Sequence, residues 1–184
     1  MIDVIDLITI VALMFCAGLS VKAVDWIDDE RNGKNLLKWP LAVLYGALLG
    51  FLISGSPIAM LLLGALFAQV FARKIDTHTH VVGFAIAMLS PFVLGFPQFD
   101  PLLFVFFALL AFVDEMVFVG KLGWLTEHRV FLIIGSALLI PFYGFAYFVG
   151  ILAFDVGYVL FSWVARRLVP APGPSRRRPA PSSF

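Results

Sequence analysis

The strongest constraint on this chain is the length of its uncharged runs: residues 39–72, 81–99 and 130–154 contain no Asp, Glu, Lys or Arg. Uncharged windows of 16 to 20 residues recur along the sequence, about the length that crosses a bilayer as α-helix. A soluble domain of 184 residues would need polar surface to cover it, whereas apolar residues make up 61% of this chain, charged residues 14%, and the mean hydropathy is +1.00. Transmembrane β-strands would be half as long and would alternate in polarity, which these runs do not. The expected fold is therefore all-α, a multi-pass helix bundle in the cell membrane surrounded by lipids, with no nucleic-acid partner.

With Pro, Gly and charge as punctuation, about seven spans are predicted, near 4–24, 36–54, 57–73, 81–96, 101–118, 130–147 and 149–167. The start, "MIDVIDLITIVALMF", has two aspartates and no base, so it reads as a retained first helix rather than a cleaved signal. The stretch 130–167, where Asp155 is the one charge before Arg166 and Arg167, is expected to divide into two spans through Pro141, Gly144 and a break near Gly150. Residues 1–168 form the membrane domain. The Pro-, Ser- and Arg-rich segment 169–184 has nothing to bury and is expected to be a disordered basic tail.

All 13 Lys and Arg residues fall in four segments, 22–38, 73–80, 114–129 and 166–178. The intervening connectors hold none, and the positive-inside rule then places the N-terminus outside and the C-terminus in the cytoplasm. Nearly all the chemistry gathers at one surface: Asp25, Asp28 and Asp29 end the first helix, Asp76, His78 and His80 follow the third, and Asp114 and Glu115 end the fifth. Asp25, Asp28 and Asp29 stand at i, i+3 and i+4 and share one face if the helix continues through them. Three like charges there need a cation, either Lys22, Arg31 and Lys34 or a bound divalent ion. Hard oxygen ligands suit Mg²⁺, which commonly bridges one or two carboxylates to a substrate phosphate. Ordinary exposed ion pairs in a loop leaving the bilayer explain the same charges. In "DTHTH", His78 and His80 at i, i+2 point to opposite sides of a helix, and polar loop residues are the simpler reading. Asp155, with Tyr158 one turn on, marks an intramembrane polar site facing the bundle interior, paired with a Tyr or backbone group or lying on an ion path.

The chain also compares with itself. "VDWIDDERNGK" from Val24 and "VDEMVFVGK" from Val113 share Val-Asp at a helix end, a nearby acid and a later Gly-Lys, four helices apart, as in an internal repeat. These residues resemble the UbiA-type superfamily of intramembrane prenyltransferases, whose two four-helix repeats each carry an Asp-rich motif, the first patterned Asn-Asp-x-x-Asp-x-x-x-Asp. The resemblance implies that Asp25 and Asp28, with Asp114 in a reduced second motif, hold Mg²⁺ against a prenyl diphosphate. "FARK" is similar to the family's basic stretch, which implies Arg73 and Lys74 as diphosphate contacts. Val24 stands where the family has Asn, Asn32 where it has the third Asp, and the chain has room for about seven helices instead of nine.

Three function classes follow. The first is a Mg²⁺-dependent transferase-like enzyme binding a (di)phosphorylated isoprenoid or other lipid, with Asp25, Asp28, Asp29, Asp114 and Glu115 at the metal and Lys34, Arg73, Lys74 and Lys121 as phosphate-binding cations. The second is a transporter or channel for an ion or small solute, using Asp155 and Tyr158. The third is a non-catalytic membrane subunit or scaffold.

Overall fold

The computed structural model describes residues 6–30, 35–73, 75–116 and 129–168, and the described residues contain helices and no strands. The helices are α1 (Leu7–Glu30), α2 (Lys38–Gly55), α3 (Ala59–Phe71), α4 (His78–Leu94), α5 (Pro101–Glu115), α6 (Val130–Leu138), α7 (Ile140–Tyr143) and α8 (Ala146–Leu168). Three of them, α1, α2 and α8, are long and apolar enough to cross a membrane, while α3 and α4 are apolar but shorter.

Side chains set the ends. Asp100 caps α5 by accepting from the Leu102 and Leu103 amides at 3.0 and 3.1 Å, with Pro101 in the first turn where its missing N–H costs nothing. Thr77 caps α4 by accepting from the His80 amide at 3.3 Å. The division within 130–167 falls earlier than expected. Pro141 cannot donate to the Ala137 carbonyl, so the helix is interrupted at Leu139, and α7 ends at Gly144, whose φ of +73° suits glycine. Gly150 is not a break. It lies inside α8, where the missing side chain admits Ile58 and Ile10.

Helix α1 packs along α8 and α2, α2 along α4, and α3 along α5. The α1–α8 crossing is made by small residues: a Cβ on Gly18 would run into the Phe154 carbonyl, and one on Gly157 into the Phe15 carbonyl. Close backbone approach of this kind replaces the hydrophobic drive that helices lose among apolar neighbours. Ser20, Ser54, Ser56, Ser90 and Ser162 each donate to the carbonyl four residues back at 2.6–3.0 Å, so their hydroxyls are satisfied by the adjoining helical turn. The core is built on Ile10, Met14, Leu52, Ile58, Leu61 and Phe107, all at most 1% exposed. The outer surface is apolar too: Ile8, Phe92, Val93 and Leu102 are each at least 71% exposed, an exterior suited to lipid.

Candidate functional site

The polar side chains gather where α1 ends and α2, α4 and α6 begin. Asp25 is the hub. Its Oδ1 lies 2.9 Å from His80 Nε2 of α4, and its Oδ2 accepts from the Tyr158 hydroxyl of α8 at 2.9 Å. Lys22 Nζ donates in turn to Tyr158 Oη at 3.3 Å and lies 4.8 Å from the ring centroid. On the other side, Tyr45 Oη of α2 is 3.2 Å from His80 Nδ1 and also donates to the His80 carbonyl at 3.5 Å. That geometry fits an imidazolium, with Nε2–H donating to Asp25 and Nδ1–H to Tyr45. His80 lies just ahead of the fourth apolar run, and its bond to Asp25 is the main reason its pKa is raised above the ordinary imidazole value, with burial opposing.

One turn beyond Asp25, Asp28 Oδ1 pairs with Lys38 Nζ of α2 at 2.7 Å. The Asp28 side chain is only 7% exposed, and besides Lys38 the hydroxyls of Thr79 and Thr77 bear on its carboxylate. A third pair lies toward α8: Arg129, at the start of α6 with a φ of +46°, donates from Nη1 to Asp155 Oδ1 at 2.7 Å. Its guanidinium carbon lies 4.9 Å from the Phe154 ring centroid and 5.1 Å from that of Tyr158, close enough for cation–π attraction.

These groups surround a chamber of about 340 Å³. Asp25, Asp28, Asp29, Asp76 and Glu115 line it, together with His80 and Arg129. Asp29 and Asp76 are exposed at its rim. A narrow recess of about 50 Å³ adjoins it between Met14, Leu61, Leu62 and Ile151, and Leu49, Leu66, Gln69, Arg129 and Phe154 belong to both. The space is thus acidic at one end and apolar at the other, with one arginine at the neck.

Among the sequence-selected acids, Asp25, Asp28, Asp29 and Glu115 all reach the chamber. Asp114 is placed differently. It is 4% exposed, and its two oxygens accept from the Phe131 and Leu132 amides at 3.0 and 2.8 Å, closing the first turn of α6. Asp155 finds its partner in Arg129, while Tyr158 bonds to Asp25. His78 and His80 diverge, with His78 exposed and His80 turned into the cluster. Arg73 is exposed at a φ of +54°. Lys34, Lys74, Lys121 and the tail 169–184 lie outside the described residues. Among the described residues no three His, Cys, Asp or Glu side chains are grouped closely enough to chelate an ion alone.

Sequence reasoning passed over Lys38, Tyr45 and Arg129 as site residues and took His80 for a loop group. A signal for Arg129 existed: a lone acid inside an apolar span calls for a base, and Arg129 is the base that directly precedes the apolar run 130–154. No protein-family model, curated protein or solved structure matches the chain.

Proposed function

We propose that this is a multi-pass membrane protein whose chamber binds the phosphorylated head of an isoprenoid or other lipid through Mg²⁺ at the cytoplasmic face, as a transferase-like enzyme would. The observation that carries the reading is the convergence of carboxylates on one chamber, which Asp25, Asp28, Asp29 and Asp76 all line. Like charges gathered around one space repel, and a bound divalent cation relieves that repulsion. Asp25 and Asp114 each have both oxygens engaged, so the metal contact falls first to Asp28, with Asp29 and Asp76 at the rim. Mg²⁺ suits so few protein ligands because it keeps several waters and takes its remaining oxygens from phosphate. The adjoining recess offers apolar walls to the start of a lipid chain.

The test is equilibrium binding of a prenyl diphosphate to the full chain in detergent, with Mg²⁺ and with EDTA. Asp28→Asn should remove the Mg²⁺-dependent part of the binding, and Asp29→Asn with Asp76→Asn should weaken it. Mg²⁺-dependent binding retained at wild-type strength in Asp28→Asn and in the double variant would refute the proposal.

A further inference from the structure

Arg129 occupies an unusual position, since it lines both the acidic chamber and the apolar recess. A guanidinium has five N–H donors in a planar fork, and the bond to Asp155 engages Nη1. About 20% of the side chain remains accessible, and the space beside it is the neck between the two cavities. The rings of Phe154 and Tyr158 hold the guanidinium from α8, so little side-chain entropy remains to be lost on binding. The helix N-terminus beside it is not the attraction, because Asp114 already takes the Phe131 and Leu132 amides.

We propose that Arg129 is the anion receptor of the site: it takes an oxygen of a phosphate head directly, without a metal, while the first carbons of the attached chain enter the recess. Asp155 is a positioning residue. It fixes the guanidinium and, by its own negative charge, weakens the pull on the ligand. This rests on the reading of the chamber as a lipid-phosphate site, but it concerns a metal-independent contact. It therefore deepens that reading and separates from it in EDTA.

The experiment is binding of decyl phosphate to the full chain in a neutral maltoside detergent containing EDTA. Inorganic phosphate and decyltrimethylammonium are the companion probes. Asp155→Asn should bind decyl phosphate more tightly than wild type, because a competing charge is gone. Arg129→Gln alone would leave Asp155 buried without its cation and risks unfolding, so the receptor is removed in the Arg129→Gln/Asp155→Asn double variant. That variant should bind roughly tenfold to a hundredfold more weakly than Asp155→Asn, the range of one hydrogen bond to a charged group. Inorganic phosphate should bind more weakly than decyl phosphate, and decyltrimethylammonium should not depend on Arg129. Affinity that is unchanged or reduced in Asp155→Asn, or equal in the single and double variants, would overturn the assignment, since a merely structural ion pair predicts that. Inorganic phosphate binding as tightly as decyl phosphate would overturn the role of the recess. If Arg129-dependent binding persists in EDTA while Asp28→Asn leaves Mg²⁺-dependent binding intact, the metal proposal fails and the receptor stands.

Discussion

Removing the Asp114 carboxylate tests whether that acid is part of the architecture. Its two oxygens accept from two consecutive amides at 3.0 and 2.8 Å, and the residue is 4% exposed. Those amides belong to the first turn of α6, where no intrahelical carbonyl can reach them. Asp114→Ala deletes both acceptors and leaves the two N–H groups without the partner they have in the folded chain. Hydrogen bonds to a charged group contribute about 1.5–3 kcal/mol each, with partial relaxation expected in so short a helix, so the loss should be about 2–4 kcal/mol. Asp114→Asn keeps one acceptor but turns an NH₂ toward the other amide, and should lose at least half as much. The assay is reversible unfolding of the full chain in mixed micelles, in Mg²⁺ and in EDTA. The expected loss is the same in both. A change within about 0.5 kcal/mol of wild type, the level of an ordinary surface substitution, would refute the capping argument. So would a loss seen only with Mg²⁺, which would assign Asp114 to a metal instead.

Gly18→Leu should destabilise the bundle by more than about 2 kcal/mol in the same assay, because the new side chain meets the Phe154 backbone and α1 must leave α8; a near-neutral result would mean that the crossing is not close. Tyr158→Phe leaves Asp25 Oδ2 without its donor and should cost about 1–2 kcal/mol, and since His80 bonds the same carboxylate, a double-mutant cycle of Tyr158→Phe with His80→Gln should show non-additivity above about 0.5 kcal/mol. Additive losses would break the network into independent contacts. Stability should also depend on pH through His80, whose folded pKa is raised chiefly by Asp25, with Asp28, Asp76 and Tyr45 the other titratable groups facing it. The contribution is complete below the ordinary value of 6.5 and is lost as pH rises through the raised folded value. Unfolding measured between about pH 6 and about pH 9 should therefore show a decline that His80→Gln abolishes; equal slopes in both proteins would refute it.

Every apolar run marked in the sequence contains helix where the structure describes it, because length without charge leaves the backbone few other ways to satisfy itself. A helix end was legible where a local residue makes it at Asp100, whereas the Thr77 cap went unread and α4 begins three residues ahead of the predicted span. The interruption of 130–167 was legible in kind and misplaced in position. Pro141 acts through its own missing N–H, a local effect, whereas Gly150 is a packing notch whose partners, Ile10 and Ile58, are remote in sequence. The same distinction explains the site. The i, i+3, i+4 spacing put Asp25, Asp28 and Asp29 on one face, and all three reach the chamber. Their partners were hidden because Asp25 meets Tyr158 across 133 positions and Tyr45 meets His80 across 35. Helical period says which way a side chain points and nothing about which helix it will face.

That choice of neighbour is what the ion pairs settle. Asp25 with His80 joins α1 to α4, Asp28 with Lys38 joins α1 to α2, and Asp155 with Arg129 joins α8 to the start of α6. Apolar helices slide and rotate against one another with little penalty, since one aliphatic contact resembles another. A buried carboxylate away from its cation costs several kcal/mol, so each pair fixes a rotation and a register even where its net contribution to stability is small. Structural need then accounts for Asp25, for Asp114, and for Asp28. It does not by itself account for Asp29 and Asp76, exposed at the rim of the chamber that Arg129 also lines. Carboxylates and a guanidinium thus line one space, and both kinds of group are what the proposed ligand, with a metal-bridged and a direct phosphate contact, would require.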